Sequence, residues 1–147
     1  ALQVLHHDEP HVADVAELVN AVVQWNRGDC GDYAARPLDD PRVTLFIEDV
    51  AAVLARSANT YDAIALDVDN GPSAVTHPRN EALYQREGLA RAHAALRPGG
   101  VLAVWSAFSS DAFTAALEEL GGTVELVTTT VGIGAPQHYI WLATKPN

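Results

Sequence analysis

The sequence predicts an α/β fold: a mostly parallel sheet with helices on both faces and an antiparallel C-terminal edge. Three observations carry this. Short, β-branched apolar runs alternate with segments of helical spacing along most of the chain. The runs are apolar almost throughout rather than alternating, as strands covered on both faces are. The last two runs are joined by a short Gly/Pro loop, which suits an antiparallel pair, because parallel strands need a longer crossover.

In order, Val12 to Leu18 (VADVAEL) reads as a short buried strand, and Val19 to Asn26 continues as a helix. Residues 27 to 42 (RGDCGDYAARPLDDPR) form a turn-rich connector. Val43 to Glu48 (VTLFIE) has strand composition. Apolar positions Val50, Val53 and Leu54 place a helix over Asp49 to Ser57, with Asp49 a natural N-cap. Tyr61 to Val68 (YDAIALDV) is a third strand, broken by Asn70-Gly71-Pro72. His77 to Leu96 reads as a loop and then one helix, with Leu83, Tyr84, Leu89 and Leu96 on one face and Gly88 weakening its middle. Arg97-Pro98-Gly99-Gly100 reads as a stop, and Val101 to Ser106 (VLAVWS) as a strand. Ser109 or Ser110 can cap a helix over Asp111 to Leu120 that ends at Gly121-Gly122. Thr123 to Val131 and His138 to Thr144 close the sheet. Ala1 to His7 reads best as a helix, with Ala1 to Leu5 as a strand the other choice.

Composition narrows the function. With 147 residues and 15.7 kDa, the chain makes one domain with one sizeable core. Nineteen acids against nine bases give a net charge of −10, the wrong field for nucleic acid or an anionic membrane. No apolar run approaches the ~20 residues that span a bilayer, and no signal peptide is visible, so the expected compartment is the cytoplasm. Cys30 is the single cysteine, which excludes an intrachain disulfide. The absence of methionine points to a chain that is processed or a fragment. His6, His7 and His11 cluster near Asp8 and Glu9 without a metal-ligand spacing. Acidic neighbours make Cys30 a poor nucleophile. Trp25, Trp105 and Trp141 read as core or interface aromatics, and Ser106 and Ser109 lack a nucleophile elbow.

In open α/β sheets ligands sit beyond the carboxyl ends of the strands. The residues there are Glu17, Asp49, Asp67 and Asp69, all acidic. Glu17 can accept hydrogen bonds from both hydroxyls of a ribose, or serve only as a solvated charge or one favoured by a helix dipole. Asp49 can accept from an adenine amino group, or only cap its helix. Asp67 and Asp69, followed by Asn-Gly-Pro, can hold a general base and a cationic amine, or simply form an Asx-rich turn.

Four stretches in this order and spacing, AELVNAVVQWNRG, PLDDPRVTLFIEDV, YDAIALDVDNGP and LRPGGVLAVWSA, resemble the spermidine synthase-like branch of the class I S-adenosylmethionine-dependent transferases. The resemblance covers most of residues 12 to 107 and implies a Rossmann-like three-layer sandwich. It implies a cofactor, S-adenosylmethionine or its decarboxylated form, and a small-molecule amine as acceptor. It would make Glu17 the ribose ligand, Asp49 the adenine ligand, and Asp67 the catalytic acid that takes a proton from the attacking amine, with Asp69 beside it. The chain departs from the family in two places. The family's D-x-x-D is here Asp67-Val68-Asp69, one residue closer. The family's first strand and Gly-rich turn are not found, the first glycine being Gly28. The expectation is therefore one N-terminally incomplete domain over 1–147, with a strand-wide gap between the strands ending at Glu17 and Asp67. Exposed strand edges favour pairing of two copies. The alternative expectation is a non-catalytic, dimeric remnant of the same fold.

Overall fold

The computed structural model describes residues 12–147 except 29, 74–77, 131 and 133. The expectations for Ala1 to His7, for the histidine cluster, for His77 and for Val131 lie outside the described residues.

Strand β1 (Ala13–Ala16) pairs in parallel with β2 (Val43–Phe46), from Ala13 opposite Val43 to Ala16 opposite Phe46. Strand β3 (Tyr61–Leu66) pairs in parallel with β4 (Leu96–Ser106). β6 (Gln137–Thr144) runs antiparallel between β4 and β5 (Thr123–Thr130), giving the order β3-β4-β6-β5. Among the described residues, β1 and β3 are not paired with each other, and the sheet falls into two- and four-stranded parts. Among the described residues, the interruption falls between these two parts; the expected N-terminal gap itself depends on residues 1–11, which lie outside the described residues. The Tyr61 hydroxyl reaches across the interruption to donate to the Asp14 carboxylate at 3.0 Å.

Side chains alternate across a strand, and that alternation sorts the helices. Helix α1 (Asn20–Arg27) sets Val22 and Val23 against the face that carries Val15, Val43 and Leu45. The opposite face, which carries Phe46, receives α2 (Val50–Ala55), with Arg56 stacked on the Phe46 ring at 5.3 Å. Helices α4 (Arg86–Ala95) and α5 (Asp111–Glu118) share that side, where Leu54, Ile64, Leu66, Leu89, Leu117 and Trp141 form the core. Helices thus lie on both sides of a mixed, Rossmann-like sheet: α1 on one side of the β1–β2 pair, and α2, α4 and α5 on the other. Trp141 is fully buried, whereas Trp25 is 61% exposed and lies outside the core.

The expected single helix over 77–96 is two. Helix α3 (Pro78–Tyr84) ends and α4 starts anew at Arg86, because Gln85 is extended (φ −78°, ψ 163°). Gly88 explains how the two fit. A Cβ there would lie 2.1 Å from the Ala82 carbonyl oxygen and 2.5 Å from that of Leu83. The glycine lets the first turn of α4 close onto the end of α3. The expected stop at residues 97–100 is also corrected, for the strand already begins at Leu96. Tyr61 lies opposite Leu96 and Ala63 opposite Val101, so the extra residues form a bulge that absorbs Pro98 without breaking the strand. Ser110, not Ser109, caps α5, accepting from the Phe113 amide at 3.2 Å.

Helix propensity alone says that Gly88→Ala gains about 1 kcal/mol. The packing says the opposite: the added methyl meets backbone oxygens, and the variant is expected to lose about 1–3 kcal/mol. Urea unfolding of the two proteins measures the sign.

Candidate functional site

The carboxyl ends of β1, β2 and β3 open on one cleft of about 230 Å³. Glu17, Asp49, Asp67 and Asp69 all line it, joined by Glu48. The four acids singled out in the sequence come from strand exits up to fifty residues apart, and the fold brings them together. Leu18, Val19, Val50 and Leu83 supply apolar wall between them. No lysine, arginine or histidine is among the described lining residues.

Each acid is held by its own local structure. At the end of β1 the chain turns into α1, and the Glu17 carboxylate accepts the Val19 amide at 2.8 Å. Asp49 is the N-cap of α2 and accepts the Ala51 amide at 2.9 Å. The capping role foreseen for Asp49 is therefore present, whereas Glu17, expected as a solvated or dipole-favoured charge, accepts a backbone amide; neither bond exhausts its carboxylate. A carboxylate offers about four acceptor sites, so one local bond leaves room for a ribose hydroxyl or an amino group. Glu48 differs. Both of its oxygens are bound by the Arg56 guanidinium, and that hydrogen bonding holds its carboxyl below the ordinary range.

Asp67 and Asp69 stand on the turn that leaves β3. Asp69 has a left-handed backbone (φ 55°), and its carboxylate accepts from the Asn80 side-chain amide of α3 at 2.8 Å. The turn continues through Gly71 (φ +92°), where a Cβ would lie 2.2 Å from the Ser106 Oγ. Only glycine fits so close to the end of β4. There the Asn70 carbonyl accepts from the Ala107 amide at 3.1 Å and lies 3.2 Å from the buried Ser106 hydroxyl. On the other side of the turn, the Tyr84 hydroxyl donates to the Val68 carbonyl at 2.6 Å. The sequence reading placed Tyr84 on the core face and missed this bond. It also missed Asn80 and Arg56. All three reach partners 8 to 16 positions away in sequence, a separation that sequence spacing cannot distinguish from that of ordinary surface residues. Among the described residues no group of three or more His, Cys, Asp and Glu could hold a metal ion. Cys30 is exposed, away from the cleft lining.

A mostly parallel α/β sheet with a closing antiparallel strand pair defines a class, the Rossmann-like α/β fold. Residues 1–113 match the spermine/spermidine synthase domain, and the chain belongs to that family. It is similar to polyamine aminopropyltransferase 2 of Pseudomonas aeruginosa, 36% identical over 106 residues, 69% of this chain and 28% of that one. It is also similar to putrescine N-methyltransferase 4 of Nicotiana tabacum, 38% identical over 92 residues, 60% of this chain and 22% of the relative. Among solved structures, spermidine synthase from Thermotoga maritima superposes with a TM-score of 0.71 at 17% identity, over 92% of this chain and 46% of that one. This chain thus spans about a quarter of the curated relatives it matches and under half of that structure. No helix among the described residues is long and apolar enough to cross a membrane.

Capping and ligand binding at Asp49 separate by substitution. Asp49→Asn keeps an acceptor for the Ala51 amide and is expected to stay close to wild type in stability. Asp49→Ala is expected to lose about 0.5–2 kcal/mol. Thermal and urea unfolding check both.

Proposed function

We propose that this domain binds an S-adenosyl cofactor and transfers an aminopropyl or methyl group to a small amine. The observation that carries the reading is that Glu17, Asp49 and Asp67, leaving three different strands, line one cleft. The cofactor would be S-adenosylmethionine or its decarboxylated form, and the donor set fits it. Glu17 and Asp49 keep acceptor sites for ribose hydroxyls and an adenine amino group, and a cleft lined by acids suits a cation. A transition-state analogue, AdoDATO, is bound in a solved spermidine synthase, and SAH in human methyltransferase-like protein 13, both sharing this fold. Bound there, the cofactor supplies an activated carbon on a sulfonium, a good leaving group.

This chain's own residues do the rest. Asp67 and Asp69 attract a protonated amine, and Asp67 takes the proton that the nitrogen must lose to attack. Glu17 and Asp49 fix the adenosine end, so that the two reactants meet in a set orientation, a large share of such acceleration. Glu48 is neutralised by Arg56 and contributes less to holding a cation. The named relatives carry polyamine or putrescine in their names and include both transfer types, which supports an amine acceptor and leaves the transferred group to experiment.

A second reading, a folded non-catalytic domain of the same family, is favoured by one observation. Glu17 and Asp49 each already satisfy a backbone amide, the role of a purely structural carboxylate.

Calorimetry on the full chain with S-adenosylmethionine, its decarboxylated form and methylthioadenosine separates the two. The transferase reading expects micromolar binding that Glu17→Ala abolishes, and an Asp67→Asn variant that loses turnover far more than cofactor affinity. No heat with any of the three supports the non-catalytic reading. Equal loss of turnover and affinity in Asp67→Asn removes its role as base.

A further inference from the structure

Val68 separates the two acids, and its carbonyl receives a proton donor from the core. Tyr84 is only 6% exposed, and its hydroxyl lies 2.6 Å from that oxygen. The peptide it holds leads directly into Asp69, which is left-handed at φ 55°. Residues other than glycine visit this conformation sparingly, aspartate more readily than most, and in a folded chain it persists where the surroundings fix it.

The donor is fixed by the core rather than by the turn. The Tyr84 ring meets Phe113 edge-on at 5.9 Å and 81°, and Phe113 meets Trp141 edge-on at 5.0 Å and 80°. Trp141 is anchored in turn, its Nε1 donating to the Thr114 hydroxyl at 2.9 Å. A column of three aromatics therefore runs from β6 through α5 and α3 to the turn after β3. Burial above all, and then the charges of Asp69 and Asp67, push the Tyr84 phenol well above its ordinary range, so it remains a donor at any working pH. Among the described residues, Asn80 holds the Asp69 carboxylate, and the Ala107 amide and the Ser106 hydroxyl hold the Asn70 carbonyl. Tyr84 alone among these holds the peptide between the acids.

We infer that Tyr84 is a positioning residue: by holding the Val68 carbonyl it sets the direction in which Asp67 and Asp69 face the cleft. It touches no reactant, and its effect on ligands rests on the amine-transferase reading above. Tyr84→Phe keeps the ring and its edge contacts and removes only the donor.

Two measurements on the full chain test this. Amide hydrogen exchange at Asp69 and Asn70 is expected to quicken at least tenfold in Tyr84→Phe, while Ile64 and Val104 stay within twofold. Calorimetry with putrescine and with methylthioadenosine is expected to show putrescine weakened about tenfold and the nucleoside within twofold. A merely structural role would weaken both ligands alike, and that result overturns the inference. So does unchanged exchange at Asp69 and Asn70, whatever the ligands do. If the wild-type chain binds neither ligand, the transferase reading fails and the exchange rates alone decide whether Tyr84 holds the turn.

Discussion

The common direction of the first strands is the constraint on which the site depends. β1 runs parallel to β2 and β3 parallel to β4. In a parallel arrangement each crossover returns the chain to the same starting edge, so every strand exit falls on one rim. Residues 17, 49 and 67 meet for that reason and no other. The rim is also where the ladder of backbone hydrogen bonds runs out. An acid placed there serves the backbone first, as Glu17 does for Val19 and Asp49 for Ala51. The same carboxylates then retain acceptor sites facing the cleft. In the proposed reading, local folding and ligand binding draw on the same side chains, and the local bonds orient each acid.

Several like charges on one cleft repel one another, and the fold limits that repulsion in two ways. Arg56 takes up Glu48 with two nitrogens while lying on the Phe46 ring, so the guanidinium is held by an aromatic face as well as by charge. Asn80 donates to Asp69 and spreads its charge. A cation bound among these carboxylates would lower their mutual repulsion. The interruption between β1 and β3 lies next to this charge. Tyr61 bridges it through Asp14, so even at the unpaired edges a donor meets a carboxylate.

Much of this was legible in the sequence because the strands are apolar throughout and the acids end them. The runs VTLFIE and YDAIALDV mark β2 and β3 to within two residues, and the acids that follow them are the ones that line the cleft. The failures share a cause. Leu83, Tyr84, Leu89 and Leu96 fit one helical stripe, yet they belong to two helices and a strand, because a buried face looks alike whether or not the backbone breaks at Gln85. Proline and two glycines after Leu96 look like an ending, yet a bulge carries them inside the strand. The holds by Tyr84, Asn80 and Arg56 link residues 8 to 16 positions apart, on elements whose relative placement only the packed fold determines.

The spacing of the two acids after β3 follows the same logic. In an extended chain, residues two apart point to the same side. Asp67 and Asp69 would then stand together and repel at full strength. The left-handed conformation at Asp69 turns the chain at that residue and brings its carboxylate to Asn80, while Asp67 remains at the strand end. The turn thus gives the two acids different neighbours along one wall. Gly71 makes this possible from beyond the turn, since no side chain fits between it and Ser106. The Val68 carbonyl, caught by Tyr84, makes it rigid from within. A pair of acids separated by backbone conformation rather than by sequence distance needs that rigidity, because any relaxation of Asp69 toward an extended chain returns the two charges to the same side.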